Sequence, residues 1–169
     1  AGLDARLAAA TEDAAWQVLV KAELAAGDAR RAESFDAGAD IDGLLADRSQ
    51  QVDAVLRDAF RRDFGDAQGL ALLATGGFGR AELFPHSDVD ILLLCEAAID
   101  GVCQQRIERF LTRLWDAGLA PGHAVRSVDE CVEEGRKDAT IATALLELRP
   151  ICGDPGPGQR LARSVRSEG

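Results

Sequence analysis

The segment LALLATGGFGRAELFPHSDVDILLLC, Leu70 to Cys95, decides how the chain is read. Leu70 to Thr75 is a short apolar run stopped by Gly76-Gly77, and Val89 to Cys95 is a second, so both read as strands buried on two faces. Asp88 and Asp90 stand two apart at the mouth of the second strand. Side chains alternate along a strand, so both carboxylates project from one face while Val89 and Ile91 point to the other. Two like charges held so close raise one pKa unless a cation neutralises them. A hard divalent ion such as magnesium suits the pair, because it takes one or two carboxylates and completes its shell with water and substrate phosphates. Gly76 and Gly77, lacking Cβ, let main-chain N–H groups approach an anion, and a short helix starting near Phe78 adds its positive end. Arg80 supplies a full charge nearby.

Each of these readings has a bland alternative, and for the Asp pair it is the weaker one. Asp88 and Asp90 adjoin the unbroken apolar run Ile91 to Leu94, where an unpaired charge is costly. The glycines fit neither common phosphate fingerprint: Gly77-x-Gly79 lacks the third glycine of the dinucleotide motif, and no Gly-Lys-Ser/Thr follows. Phosphate cradling by Gly76, Gly77 and Gly79 therefore rests on the Asp pair. Arg80 reads as a triphosphate contact, with pairing to Glu82 or Asp88 as its alternative. His123 either faces a nucleotide or serves as a hydrogen-bonded structural residue.

Gly-Gly, ten intervening residues and Asp-hydrophobic-Asp-hydrophobic resemble the signature of polymerase-β-type nucleotidyltransferases. The finer text GGFGRAELFPHSDVDILLL resembles the N-terminal domain of one branch, the bifunctional uridylyltransferase/uridylyl-removing enzymes of the nitrogen-signalling protein PII. That family reads Gly-Gly-Tyr-Gly-Arg-Gly-Glu-Leu and then Ser-Asp-hydrophobic-Asp; Phe78 stands for its Tyr and Ala81 for the Gly after its Arg. The likeness continues through Phe110 to Asp116, Gly122 to Arg126, Asp129 to Cys131 and Asp138 to Thr143, ending at Cys152-Gly153.

The resemblance implies magnesium at Asp88 and Asp90, and a nucleotide held by Gly76, Gly77, Gly79, Arg80 and Ser87. UTP is the implied donor and a tyrosine hydroxyl of PII the acceptor. This chain has no tyrosine, so the acceptor cannot be its own. Two ions about 3.5 to 4 Å apart would serve an in-line displacement at the α-phosphorus, with pyrophosphate leaving. A third carboxylate is implied on a neighbouring strand, but 123–126 holds no acid, leaving Asp138 and Glu147 as candidates. Two other readings stand beside this one: adenylyl transfer to a protein or small molecule, and a nucleotide-binding regulatory module without turnover.

The expected fold is α/β (α+β): a small mixed sheet flanked by helices, with a helical N-terminal extension at 1–66, a nucleotidyltransferase core at 67–153 and a linker and end at 154–169. In the extension, Leu7, Ala10, Ala14, Val18 and Leu24 recur at helical spacing in one run from Leu3 to about Gly27, taken as its C-cap. The stretch 27–40 reads as a loop. Ile41 to Phe64 reads as a second amphipathic helix closed by Gly65. Val102 to Ala117 reads as a helix with Ile107, Phe110, Leu111, Leu114 and Trp115 toward the core. His123 to Arg126 is a short candidate strand, Ser127 to Glu130 has capping-box spacing, and Asp138 to Leu146 reads as a helix. Gly153 to Gly158 looks like a breaker-rich linker.

Composition narrows the function. A net charge of −10, from 29 acids against 19 bases with no basic block, disfavours a nucleic-acid substrate. No run approaches the ~20 apolar residues of a membrane span, so a cytoplasmic protein is expected. The four cysteines make no Cys-x-x-Cys pair and read as reduced thiols. The chain contains no methionine, and it is read as a piece of a longer enzyme whose family counterparts continue into HD-type phosphohydrolase and ACT regulatory domains.

Overall fold

The computed structural model describes residues 2–167. Its elements run α1 (Leu3–Ala9), α2 (Asp13–Asp36), α3 (Ile41–Phe64), β1 (Leu70–Ala74), α4 (Gly76–Gly79), β2 (Val89–Cys95), α5 (Gly101–Asp116), β3 (Pro121–Ser127), α6 (Val128–Lys137), α7 (Ala139–Leu145), β4 (Arg149–Gly153) and α8 (Pro155–Ser167). The strands form one open sheet in the order β3-β2-β1-β4. β1 is antiparallel to both β2 and β4, while β2 and β3 are parallel, so the sheet is mixed. None of the helices among the described residues is long and apolar enough to cross a membrane.

β1 and β2 are buried along nearly their whole length because both faces are covered. Leu70, Leu72, Ala74, Val89, Ile91 and Leu93 point toward α1, α2, α3 and α5. Ala71, Leu73, Leu92 and Leu94 meet Val128, Cys131 and Leu161 of α6 and α8 on the other side. The first face carries the larger core, including a ring cluster of Phe60, Phe64 and Phe110 with centroids 4.7 to 6.3 Å apart.

The N-terminal run is not one helix. Arg62 of α3 donates from Nη2 to the carbonyls of both Leu7 and Ala10, each at 2.6 Å, which satisfies the end of α1 and stops it there. The break resets the helical phase: Trp16 and Val20 are fully buried, whereas Val18 is 69% exposed and Ala14 is exposed. Nor does Gly27 end a helix, since α2 continues to Asp36 through most of the stretch read as a loop. Gly27 is instead a point of close approach. A Cβ there would lie 2.4 Å from Gln51 Oε1 of α3, and Gln51 uses the room to donate to Glu23 O at 2.6 Å and accept from Arg31 at 2.8 Å.

Two further expectations are corrected. Trp115, expected toward the core, is 58% exposed, while Ile107, Phe110 and Leu114 of the same helix are buried. The stretch read as a linker opens α8: Pro155 takes the first helical position, and Asp154 accepts N–H bonds from Gly156 at 2.9 Å and Gly69 at 2.7 Å. β4 has no counterpart in the sequence reading. Ser127 and Glu130 do form the capping box. All four cysteines are free, and burial pushes the thiols of Cys95 and Cys131 up to about 11.

Candidate active site

The apolar run of β1 ends at Thr75, whose N–H donates to Asp90 O at 3.0 Å, so pairing with β2 persists to the mouth of the sheet. There the chain turns into α4, which begins at Gly76, two residues before the expected start, with Gly76 at φ +56°. Gly79 N–H donates to Thr75 O at 2.8 Å, and Glu82 N–H to Gly77 O at 2.8 Å. The following loop is tied to α3: Leu83 is buried and its N–H donates to Ser49 Oγ at 3.3 Å, and Arg48 Nη1 donates to Phe84 O at 3.3 Å. Ser87, half-buried, closes the last turn by donating its N–H to Phe84 O at 3.2 Å. Asp88 and β2 follow directly.

Asp90 pairs across the sheet with Gly122 of β3. A Cβ at Gly122 would lie 2.4 Å from Asp90 Oδ1 and 4.0 Å from Asp88 Cβ, and one at Gly76 would lie 3.3 Å from Asp90 Oδ2. The Asp90 carboxylate is thus wedged between two glycines, with Asp88 beside it. The alternation read from the sequence places both carboxylates on the α6–α8 side of the sheet, because Val89 and Ile91 belong to the opposite core. Burial raises the pKa of Asp90 above the usual carboxylate range, and the neighbouring charge of Asp88 raises it further.

Next to this pair opens a cleft of about 390 Å³ lined by Thr75, Asp90, Gly122, Ala124, Arg126 and Leu145, among others. Arg126 donates from Nε to Glu134 at 3.2 Å on its wall. His123 is exposed.

Arg80 lies across the glycine turn, its Nη2 3.9 Å from where a Gly77 Cβ would be. Its guanidinium is held by two carboxylates, Glu147 at 2.9 Å and Glu82 at 3.3 Å. All three side chains are substantially exposed, so an incoming polyanion can compete for the cation. Of the two acids considered for a third carboxylate, Asp138 caps α7, accepting from Thr140 N–H at 2.8 Å. Glu147 reaches the rim of the site through Arg80. No group of three or more His, Cys, Asp or Glu side chains is arranged to hold a metal among the described residues. The donor set is nevertheless suited to a hard cation: two oxygen ligands whose mutual repulsion a divalent ion would relieve, leaving coordination positions for water and phosphate.

The fold therefore gathers Gly76, Gly77, Gly79, Arg80, Ser87, Asp88 and Asp90 at one end of β1 and β2. Sequence reasoning gave no role here to Gly122 or Thr75. A signal existed for Gly122, since a glycine inside a strand often marks close approach of another group.

Comparison with known proteins finds relatives of this chain. The chain is 49% identical over 128 residues to the bifunctional uridylyltransferase/uridylyl-removing enzyme of Pseudomonas putida (strain GB-1). It is 48% identical over 134 residues to the enzyme of the same name from Pseudomonas aeruginosa (strain LESB58), and 45% over 135 residues to that of Ectopseudomonas mendocina (strain ymp). The chain is homologous to a segment of these bifunctional enzymes. The matches cover 75% to 79% of this chain but only 14% to 15% of the uridylyltransferase relatives. No family model matches the chain. The mixed sheet flanked by helices is consistent with a nucleotidyltransferase-like core, and Ala81, where the resemblance has glycine, has a left-handed φ of +57°.

Proposed function

We propose that the chain carries the nucleotidyltransferase site of a PII uridylyltransferase, with 67–153 as its core and 1–66 as a helical extension, working in the cytoplasm. The observation that carries this reading is the Asp88/Asp90 pair set beside the Gly76–Gly79 turn, with Gly122 leaving room for the Asp90 carboxylate.

In this reading Asp88 and Asp90 hold magnesium. When bound, it supplies charge that polarises the phosphate oxygens of the donor nucleotide. Gly76 and Gly77 admit the phosphates close to the backbone, Gly79, expected to do the same, instead lets the turn pack against Glu147 O and Ala74 O, and Arg80 exchanges Glu147 and Glu82 for the triphosphate. Ser87 contacts the nucleotide from the turn before β2. The donor is UTP and the acceptor oxygen belongs to a tyrosine of PII. That oxygen gives up its hydroxyl proton to solvent and bonds to the α-phosphorus as the bond to pyrophosphate breaks.

Isothermal titration with UTP, ATP and CTP, with and without magnesium, tests the reading. Magnesium-dependent binding that prefers UTP and disappears in the Asp88→Asn/Asp90→Asn double variant is the expected result, followed by transfer to PII in an activity assay. Preference for ATP would redirect the assignment to adenylyl transfer. Absence of nucleotide binding by the folded chain would overturn it.

A further inference from the structure

We propose that Arg149 is a positioning residue for the phosphate loop: from β4 it fixes Phe78, and with it the glycine turn, against the buried carboxylate of Asp53 on α3. The role in nucleotide binding rests on the functional reading above, whereas the clamp itself is a property of the fold.

The geometry begins with a bulge. β4 pairs with β1 through Ala74–Arg149 and Leu73–Pro150, then shifts register so that Leu72 meets Cys152. One extra residue in a strand reverses the facing of the residues beyond it, which is why Arg149 and Cys152 both lie on the α3 side. Arg149 then spans three elements. Its Nη1 donates to Asp53 Oδ2 at 2.6 Å and its Nη2 to Asp53 Oδ1 at 3.2 Å. The same Nη2 donates to Phe78 O at 2.9 Å, and the guanidinium carbon lies 5.0 Å from the centre of the Phe78 ring. Phe78 is 1% exposed and Asp53 8%.

A planar, forked cation is needed for this combination. It meets a carboxylate with two bonds, keeps a donor for a carbonyl and lays its face on a ring, none of which a lysine reproduces together. The loop is pressed from the same side by the backbone: a Cβ at Gly79 would lie 2.7 Å from Glu147 O. The segment entering β4 therefore determines where the amides of the glycine turn point. Chemistry at phosphorus is sensitive to such placement, since an error of about 1 Å at a positioning group can cost about a hundredfold in rate.

The test compares Arg149→Lys with Arg113→Lys. Arg113 makes a comparable fork to Asp63 of α3, at 2.8 and 3.0 Å, and its bonds run to Asp63 and Asp13 rather than to the loop. Hydrogen exchange is measured first without nucleotide. The amides of Gly79, Arg80 and Ala81, which bond to Thr75, Gly76 and Phe78 carbonyls, should exchange at least about tenfold faster in Arg149→Lys and stay near wild type in Arg113→Lys. Magnesium-UTP titration should then show a dissociation constant raised about tenfold or more in Arg149→Lys alone. Unchanged loop exchange in Arg149→Lys, or equal loosening in both variants, overturns the proposal. Faster loop exchange with no nucleotide binding by the wild type would uphold the clamp and refute the functional reading, so the two failures are separable.

Discussion

At Ala81 the chain adopts a left-handed backbone with a residue that has a Cβ. That conformation costs about 1 to 2 kcal/mol for a non-glycine residue. Glycine would in turn lose more freedom on folding, by about 0.5 to 1 kcal/mol. The difference favours the substitution, so Ala81→Gly should stabilise the protein by about 0.5 to 1 kcal/mol, read as a higher midpoint in urea at unchanged slope. Asp90 presents the opposite case, a residue whose ionised form the fold tolerates poorly. Its pKa is raised by burial and then by Asp88, so the folded state holds its proton more tightly than the unfolded one. Its contribution is therefore present below the ordinary carboxylate pKa and lost as pH rises through the raised value. Above that value, Asp90→Asn should melt at a higher temperature than wild type in metal-free buffer, because the variant no longer has to hold a poorly tolerated charge. Magnesium should raise the melting temperature of wild type and leave that of the variant unchanged.

Helices α2 and α3 pack through Gly27, and the size of that side chain sets their separation. Gly27→Ala would place a methyl against Gln51, expelling it from its bonds to Glu23 O and Arg31. The expected loss is about 1 to 3 kcal/mol, the penalty for leaving buried polar partners unmatched, measured by chemical denaturation. The same position shows where sequence reading failed. A glycine at the end of an Ala-rich period suggests a C-cap, and nothing local reveals that Gln51, on the next helix, requires its absent side chain. The break after α1 was hidden for a similar reason, because the group that ends the helix is Arg62. Legibility was best where local pattern decides. Apolar patterning alone bounds β2 as Val89 to Cys95 and α3 as Ile41 to Phe64, and the structure agrees. The alternation in Asp-Val-Asp fixed the shared face of the carboxylates without any tertiary knowledge. β4 was missed because Arg-Pro-Ile-Cys-Gly is short, half-exposed, interrupted by proline and bulged, as edge strands often are. The glycine-proline stretch after it reads as breakers, yet proline is well placed at a helix start.

Across the whole molecule, charge pairing concentrates on the helical side. Asp58 is buried, which alone would raise its pKa, but hydrogen bonds from Arg61, Arg62 and Trp16 outweigh burial and lower it. Asp28 behaves likewise between Arg31 and Arg48. Such groups stabilise the fold above the ordinary carboxylate pKa and lose that contribution as pH falls through their depressed values. Acid unfolding should therefore begin in the helical layer. Trp16→Phe removes the 2.8 Å bond from the indole N–H to Asp58, so it should lower stability by about 1 kcal/mol at neutral pH and move the acid transition to higher pH, followed by circular dichroism. The clamp at Arg149 has a temporal consequence as well. The glycine turn and the Asp pair are complete by residue 90, but their anchor enters only with β4, at the sheet's edge. During synthesis both phosphate-facing elements emerge well before the residue that locks them, and long-range pairing of this kind is slow to form. The motif is thus encoded well before the residue that would lock it, and a nascent chain can expose the glycine turn and the Asp pair before Arg149 has been made.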